Sequence, residues 1–314
     1  MSKKIGDSAA PAVQWVEVTH AHEGQRLDNF LIRHCKGVPK SHLYKAVRAG
    51  EVRINKGRCQ VDYRLKVGDV VRVPPLRMGE KTARTVPAQS FPVVYEDDSL
   101  VVIDKPAGTA VHGGSGVSFG VIESMRAARQ EPEFLELVHR LDRDTSGLLM
   151  LAKRRQMLVK LHALLREGGV NKRYLALIQG RLANDRQHIR ASLTKWTTVS
   201  GERRVRVDPE GQNAHTIVTC LERFDGYSLV EAELRTGRTH QIRVHMASIG
   251  HPIVGDEKYG SDAVRELFKS QGLNRMYLHA HTLAFTHPLS GQAVSLKASV
   301  PDQFEQALKW VRSL

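Results

Sequence analysis

The chain has 314 residues, 41% hydrophobic and 25% charged, an ordinary globular composition with room for one large domain and one small one. Its formal net charge of +14 favours a polyanionic partner. Nucleic acid is expected before an anionic membrane surface, because no run of about 18 apolar residues is present. The three scattered cysteines, Cys35, Cys59 and Cys220, form no CxxC pair, which argues against disulfides and zinc and for reduced thiols in a cytoplasmic protein.

The first residues, MSKKIGDSAAPAVQW, carry two lysines with no apolar segment behind them. They read as a disordered lead over 1–20 and not as a signal peptide. A basic module is then expected over 21–85. Between Gly24 and Pro87 there are 15 Lys and Arg against 5 Asp and Glu, so about a fifth of the chain holds most of its excess charge. Leu27, Phe30, Leu31 and His34 recur at helical spacing, and Pro39 ends that run. Ser41 suits the N-cap of a second helix, SHLYKAVRAG, which stops at Gly50. EVRIN, a turn at Lys56-Gly57 and VGDVVRVPP read as short strands. Arg48, Arg53, Lys56 and Arg58 would then share a basic helix-and-turn surface suited to RNA phosphates. The stretches GQRLDNFL, PKSHLYKAVRAGEVRINKG and LKVGDVVRVPP resemble the alpha-L RNA-binding module typified by small-subunit ribosomal protein four. RMGEKTARTVPAQSFP follows as a polar, Pro-bearing linker.

A larger domain is expected over 86–314. PVVYEDDSLVVIDKP reads as a hairpin and HGGSG, at 112–116, as a loop without GxGxxG or P-loop spacing. Phe119 to Arg129 reads as a helix, GLLMLAK as a buried strand and Arg154 to Gly168 as an amphipathic helix with Met157, Leu158, Leu161, Leu164 and Leu165 on its apolar face. Strands are expected at KRYLALIQG, His215 to Leu221 and Tyr227 to Leu234, then a helix from about Thr239. MYLHAHTLAFTHP reads as a strand pair and DQFEQALKWVRSL as a terminal helix. Strands that mostly follow one another through turns predict an α+β fold with a mixed, mainly antiparallel sheet.

HRLDRDTSG, at 139–147, places Asp142 and Asp144 two apart between apolar strands. Two carboxylates on one strand face suggest general acid–base or glycosidic chemistry. A solvated tight turn is the alternative, and the residues by themselves favour it slightly.

The same stretch resembles the signature of the RluA-type pseudouridine synthases. DKPAG, HGGSG, NKRYLAL, TGRTHQIRVH, GHPIVGDEKYG and LHAHTLAFTHP match that family in order, across essentially the whole larger domain. With the basic module, the match points to the RluC type, which acts on large-subunit ribosomal RNA. The resemblance implies the pseudouridine synthase catalytic fold and isomerisation of specific uridines without cofactor or metal. It implies that Asp142 is the catalytic carboxylate, Arg243 its cationic partner and Tyr174 the aromatic that stacks on uracil. It further implies that Arg140 fills the space of a flipped-out base. Asp144 is left as loop structure or a substrate contact.

The chain has 15 histidines. The pairs His240/His245 and His279/His281 lack the HExxH pattern and accompanying ligands, so structural or RNA-facing roles are expected over metal. Two other functions compete with the enzyme acting on large-subunit rRNA. A non-catalytic RNA-binding factor would not need Asp142, Tyr174 and Arg243 together. An enzyme acting on another RNA is disfavoured by the basic module. A monomer is the default assembly.

Overall fold

The computed structural model describes residues 12–35, 37–76, 86–114, 119–130 and 134–314. They fall into two units, divided between residues 85 and 86. Met1 to Pro11 of the expected lead, most of the expected linker (77–85) and Ser115-Gly116 of the HGGSG loop lie outside the described residues.

The first unit runs β1 (Gln14–Glu17), α1 (Leu27–His34), α2 (Lys40–Arg48), β2 (Arg53–Ile54), β3 (Gly57–Arg58) and β4 (Val70–Val73). Its sheet has the order β1-β4-β2-β3 and is antiparallel throughout. Leu27, Phe30 and Leu31 of α1 and Leu43 and Val47 of α2 pack with Ile54, Val71 and Val73 of the sheet, so the helical apolar spacing finds its core. Asn55 and Lys56 both have positive φ (50° and 69°), the conformation a two-residue hairpin turn requires. Three expectations are corrected. The hairpin turn is Asn55-Lys56 and not Lys56-Gly57, since Gly57 already pairs with Ile54 in β3. Residues 14–17, expected within the disordered lead, form a strand because VQWVEV alternates and Val18 closes the core. The N-cap of α2 is Pro39 and not Ser41; proline's ring holds φ at −57°, and Ser41 lies inside the helix.

The second unit begins with β5 (Val93–Glu96), β6 (Leu100–Lys105), α3 (Val121–Ala128), β7 (Glu136–Leu137), β8 (Ser146–Ala152) and α4 (Arg155–Arg166). It continues with β9 (Val170–Gln179), β10 (Arg186–Arg190), β11 (Leu193–Thr197), β12 (Arg203–Val207), β13 (His215–Arg223) and β14 (Tyr227–Leu234). It ends with α5 (Gln241–Ser248), α6 (Asp262–Ser270), β15 (Leu278–Thr286), β16 (Ala293–Lys297) and α7 (Asp302–Arg312). The main sheet runs β10-β13-β14-β9-β15-β8-β6-β5, with β16 on β15 and β7 on β8. Every pairing in it is antiparallel except β15 with β8. The mixed, mainly antiparallel α+β architecture is the one expected.

Strand alternation sorts the side chains to two faces. On β6, Val101 and Ile103 meet Val121, Ile122 and Met125 of α3, while Leu100 and Val102 meet Met157 and Leu161 of α4. On β9, Tyr174, Ala176 and Ile178 share a cluster with Ile242 and Met246 of α5, and Leu175 and Leu177 pack with Phe268 and Phe304 of α6 and α7. MYLHAHTLAFTHP is a single long strand, β15, and its hairpin partner is the later β16, because the turn lies at His287 to Gln292. The strands β10 to β12 and helix α6 were not anticipated.

Candidate active site

The HRLDRDTSG loop joins β7 to β8, and three contacts fix it. The Lys105 ammonium is fully buried and donates to the carbonyls of Pro106, Thr109 and Arg143 at 2.7, 2.8 and 2.9 Å. Burial pulls this lysine down to about 7, while three carbonyls match the three N–H donors of its charged form. Arg275 donates to the Ser146 hydroxyl at 2.7 Å, and that hydroxyl also meets His279 Nδ1 at 2.9 Å. Gly147 sits at φ +108°, and an added Cβ there would collide with the Ala280 carbonyl of β15. Glycine is required where the parallel strand comes so close.

Asp142 lies on the wall of a cavity of about 1060 Å³, along with Tyr174 and Lys172 of β9, Arg140, His240 and Arg243. Although 101 residues separate them in sequence, Arg243 Nη1 donates to Asp142 Oδ2 at 2.9 Å. The rest of the guanidinium fork is used elsewhere: Nε and Nη2 each donate to Asp256 at 2.7 Å. Asp256 also accepts the backbone amides of Lys258 and Tyr259 at 2.8 and 3.2 Å. Burial pushes Asp256 upward, but Arg243 and those amides outweigh it and hold the carboxyl below its ordinary range. Arg243 is held above its ordinary range by Asp256 and Asp142 despite its own burial, so it stays cationic. Its guanidinium stands 5.1 Å from the centre of the Tyr259 ring. The side chain of Arg243 is 6% exposed, that of Asp256 0% and that of Asp142 26%. Asp142 is therefore the partner that faces the cavity.

Tyr174 projects from β9 on the same face as Lys172, two residues earlier. Burial first, and the negative Asp142 second, push its hydroxyl above the usual phenol range. The ring presents an aromatic wall with a protonated hydroxyl. His139 accepts the Met150 amide at Nε2, 3.2 Å away, and burial lowers it to about 4, so it is neutral. Arg140 is exposed and also lines an adjoining groove of about 540 Å³ beside the β11–β12 hairpin.

Asp144 does not join Asp142. It pairs with Arg143 at 3.0 Å and lines a different cavity of about 790 Å³. The two residues lie in an irregular turn, not a strand, so two-residue spacing does not put them on one face; the paired-carboxylate idea fails here. Among the described residues no group of three or more His, Cys, Asp and Glu is placed to hold a metal ion, and no helix is long and apolar enough to cross a membrane.

In the first unit Arg53 and Arg58 are cross-strand neighbours, and the Arg53 guanidinium donates to the carbonyls of Gly50 and Lys56 at 3.0 and 3.5 Å. These three basic residues cluster at the turn. Arg48 instead lies on α2, in a groove with Lys40, Tyr44 and Lys45. All four are exposed. Asp256 was not singled out from the sequence, and His240 was weighed there only as half of a histidine pair without metal-ligand spacing, not as a neighbour of Asp142. The signal was present in the quoted GHPIVGDEKYG and TGRTHQIRVH, whose acid and histidine flank Arg243.

A family model described as RNA pseudouridylate synthase matches residues 99–248, and an S4 domain model matches 25–71. The ribosomal large subunit pseudouridine synthase C of Haemophilus influenzae is 47% identical over 319 residues, covering 99% of each chain. That of Yersinia pestis is 48% identical over 309 residues, covering 96% of this chain and 97% of its own. Among solved structures, human RNA pseudouridylate synthase domain containing 4 superposes with a TM-score of 0.59 at 25% identity, covering 70% of this chain and 93% of its own.

Proposed function

The chain belongs to the RNA pseudouridine synthase family, and from that premise we propose that it isomerises specific uridines of large-subunit ribosomal RNA, with Asp142 as the reacting carboxylate. The observation that carries this reading is the ion pair of Asp142 with Arg243 beside Tyr174 in one cavity, within a chain 47% identical to a large-subunit synthase along its length.

The reaction breaks the bond from uracil N1 to ribose C1′, turns the base and joins C5 to C1′. C5 loses a proton and N1 gains one, so the product is an isomer and the chemistry is redox-neutral. Asp142 acts on the sugar or base covalently, or takes a ribose proton to give a glycal. Both routes need an ionised carboxylate with an oxygen to spare. Arg243 occupies Oδ2 and sets a positive charge beside the carboxylate. Oδ1 is the oxygen left for substrate. Tyr174 supplies the face against which the detached uracil turns, and Arg140 takes the place of the flipped base in the RNA stack. Arg48, Arg53, Lys56 and Arg58 contact phosphates and bring the RNA to the second unit. The protein works in the cytoplasm, where ribosomal RNA is assembled, and as a monomer.

The test is a pseudouridine map of ribosomal RNA from cells with and without the gene. Loss of specific sites in large-subunit rRNA supports the proposal. Unchanged large-subunit rRNA, with sites lost in another RNA, overturns it.

A further inference from the structure

His240 is the N-cap of α5 and sits at φ +53°, ψ 21°, a left-handed conformation that costs an L residue energy and is kept where the surroundings impose it. The surroundings here are specific. Its Nδ1 lies 2.8 Å from the Tyr259 hydroxyl, and that same hydroxyl oxygen accepts the backbone amide of Val205 at 2.9 Å. Among the described residues, the acceptor within reach of the hydroxyl's own proton is His240 Nδ1. With the hydroxyl donating to Nδ1, the ring hydrogen of a neutral imidazole lies on Nε2. Nε2 faces Asp142 Oδ1 at 3.7 Å, the oxygen that Arg243 does not hold. The groups around the ring are Asp142, Arg243, Lys258, Asp256 and Tyr259; burial lowers the imidazole, with Arg243 and Lys258 acting in the same direction and Asp142 and Asp256 against it.

We propose that His240 is a positioning residue for the reaction, its Nε2–H donating to Asp142 Oδ1 and aiming the carboxylate at the ribose. The resting distance is about 0.5 Å beyond a direct hydrogen bond, and such contacts tighten when substrate fills a site. Held from both sides, by Arg243 at Oδ2 and by His240 at one lone pair of Oδ1, the carboxylate is confined to one orientation, and the second lone pair of Oδ1 stays open to the substrate. A neutral donor does this without adding a second cation that would quench the nucleophile. Tyr259 ties the device to the β11–β12 hairpin, because its partner Val205 belongs to β12. The proposal rests on Asp142 as the reacting carboxylate.

The test compares turnover of a large-subunit rRNA transcript by the full chain and by His240→Asn, His240→Gln and Asp142→Asn. Asparagine tolerates the left-handed backbone and retains a polar group toward Tyr259, but reaches nothing at Oδ1. Glutamine carries an amide N–H to about the place of Nε2. The expected result is a kcat about 10- to 100-fold lower in His240→Asn with KM within about threefold, and recovery of most of that loss in His240→Gln. Tyr259→Phe, which releases the tautomer, lowers kcat in the same sense and serves if the Asn variant does not fold. Normal kcat in His240→Asn, a loss confined to KM, or a Gln variant no faster than Asn overturns the proposal. Turnover by Asp142→Asn instead overturns the reading beneath it.

Discussion

Arg243 binds two carboxylates of unequal standing: Asp256 by two hydrogen bonds of 2.7 Å, and Asp142 by one of 2.9 Å. The fully buried Asp256 neutralises the arginine permanently. Asp142 can then leave its partner to react without stranding a buried cation, whose desolvation cost would be severe.

Asp256→Asn should therefore unfold more readily and also lose activity. Breaking one side of a buried pair costs about 3 kcal/mol even with an isosteric amide in place. Urea unfolding of the variant beside the parent reads this directly. A loss below about 1 kcal/mol would mean that Arg243 is compensated by Asp142 alone.

Tyr174→Phe keeps the aromatic wall and removes a hydroxyl that burial and Asp142 hold protonated. We take the hydroxyl to relay the proton that C5 loses, so kcat should fall by about tenfold or more with KM for the RNA within a few-fold. Steady-state kinetics on a transcript separates the two constants. A rise in KM alone would assign the tyrosine to RNA affinity.

His139 predicts an acid limb of stability. Burial lowers it from 6.5 to about 4, so the unfolded chain binds a proton that the folded one refuses. Its contribution is complete above pH 6.5 and is lost as pH falls toward 4. Between pH 6.5 and 4.5 the loss is about 2 kcal/mol from this group. Unfolding free energies at these two pH values should differ less in His139→Gln than in the parent. An identical difference would place the histidine in solvent.

Replacing Arg48, Arg53, Lys56 and Arg58 together by alanine should weaken RNA binding and lower the slope of log K against log salt by up to about 3. All four side chains are exposed, so stability should hardly change. An unchanged slope would remove the first unit from the RNA-binding surface.

Much of the fold was legible because its strands and helices bury a face. All seven residues of β8 are buried, and Met157 and Leu161 of α4 keep the helical period. The elements that escaped notice bury little. RQHIR, LTKWT and RRVRV form β10 to β12 with one buried residue each, and α6 buries only Phe268. Without an apolar stripe, alternation or helical period has nothing to show. The site divides along a similar line. Asp142, Tyr174 and Arg243 were named from long motifs, and the structure brings them together. Asp256 and His240 stood in the same motifs, but their importance depends on contacts with Arg243 and Asp142 that spacing along the chain does not encode. The Asp142/Asp144 pair erred in the opposite way, since a two-residue spacing means a shared face only on a regular strand.

The central claim is that the Asp142 carboxylate carries out the isomerisation. It is tested most directly by quantifying pseudouridine formed in a large-subunit rRNA transcript by the purified parent chain and by Asp142→Asn, with RNA affinity measured alongside. The account predicts product from the parent, none from the variant, and affinities within a few-fold of each other. Pseudouridine formed by Asp142→Asn would contradict it.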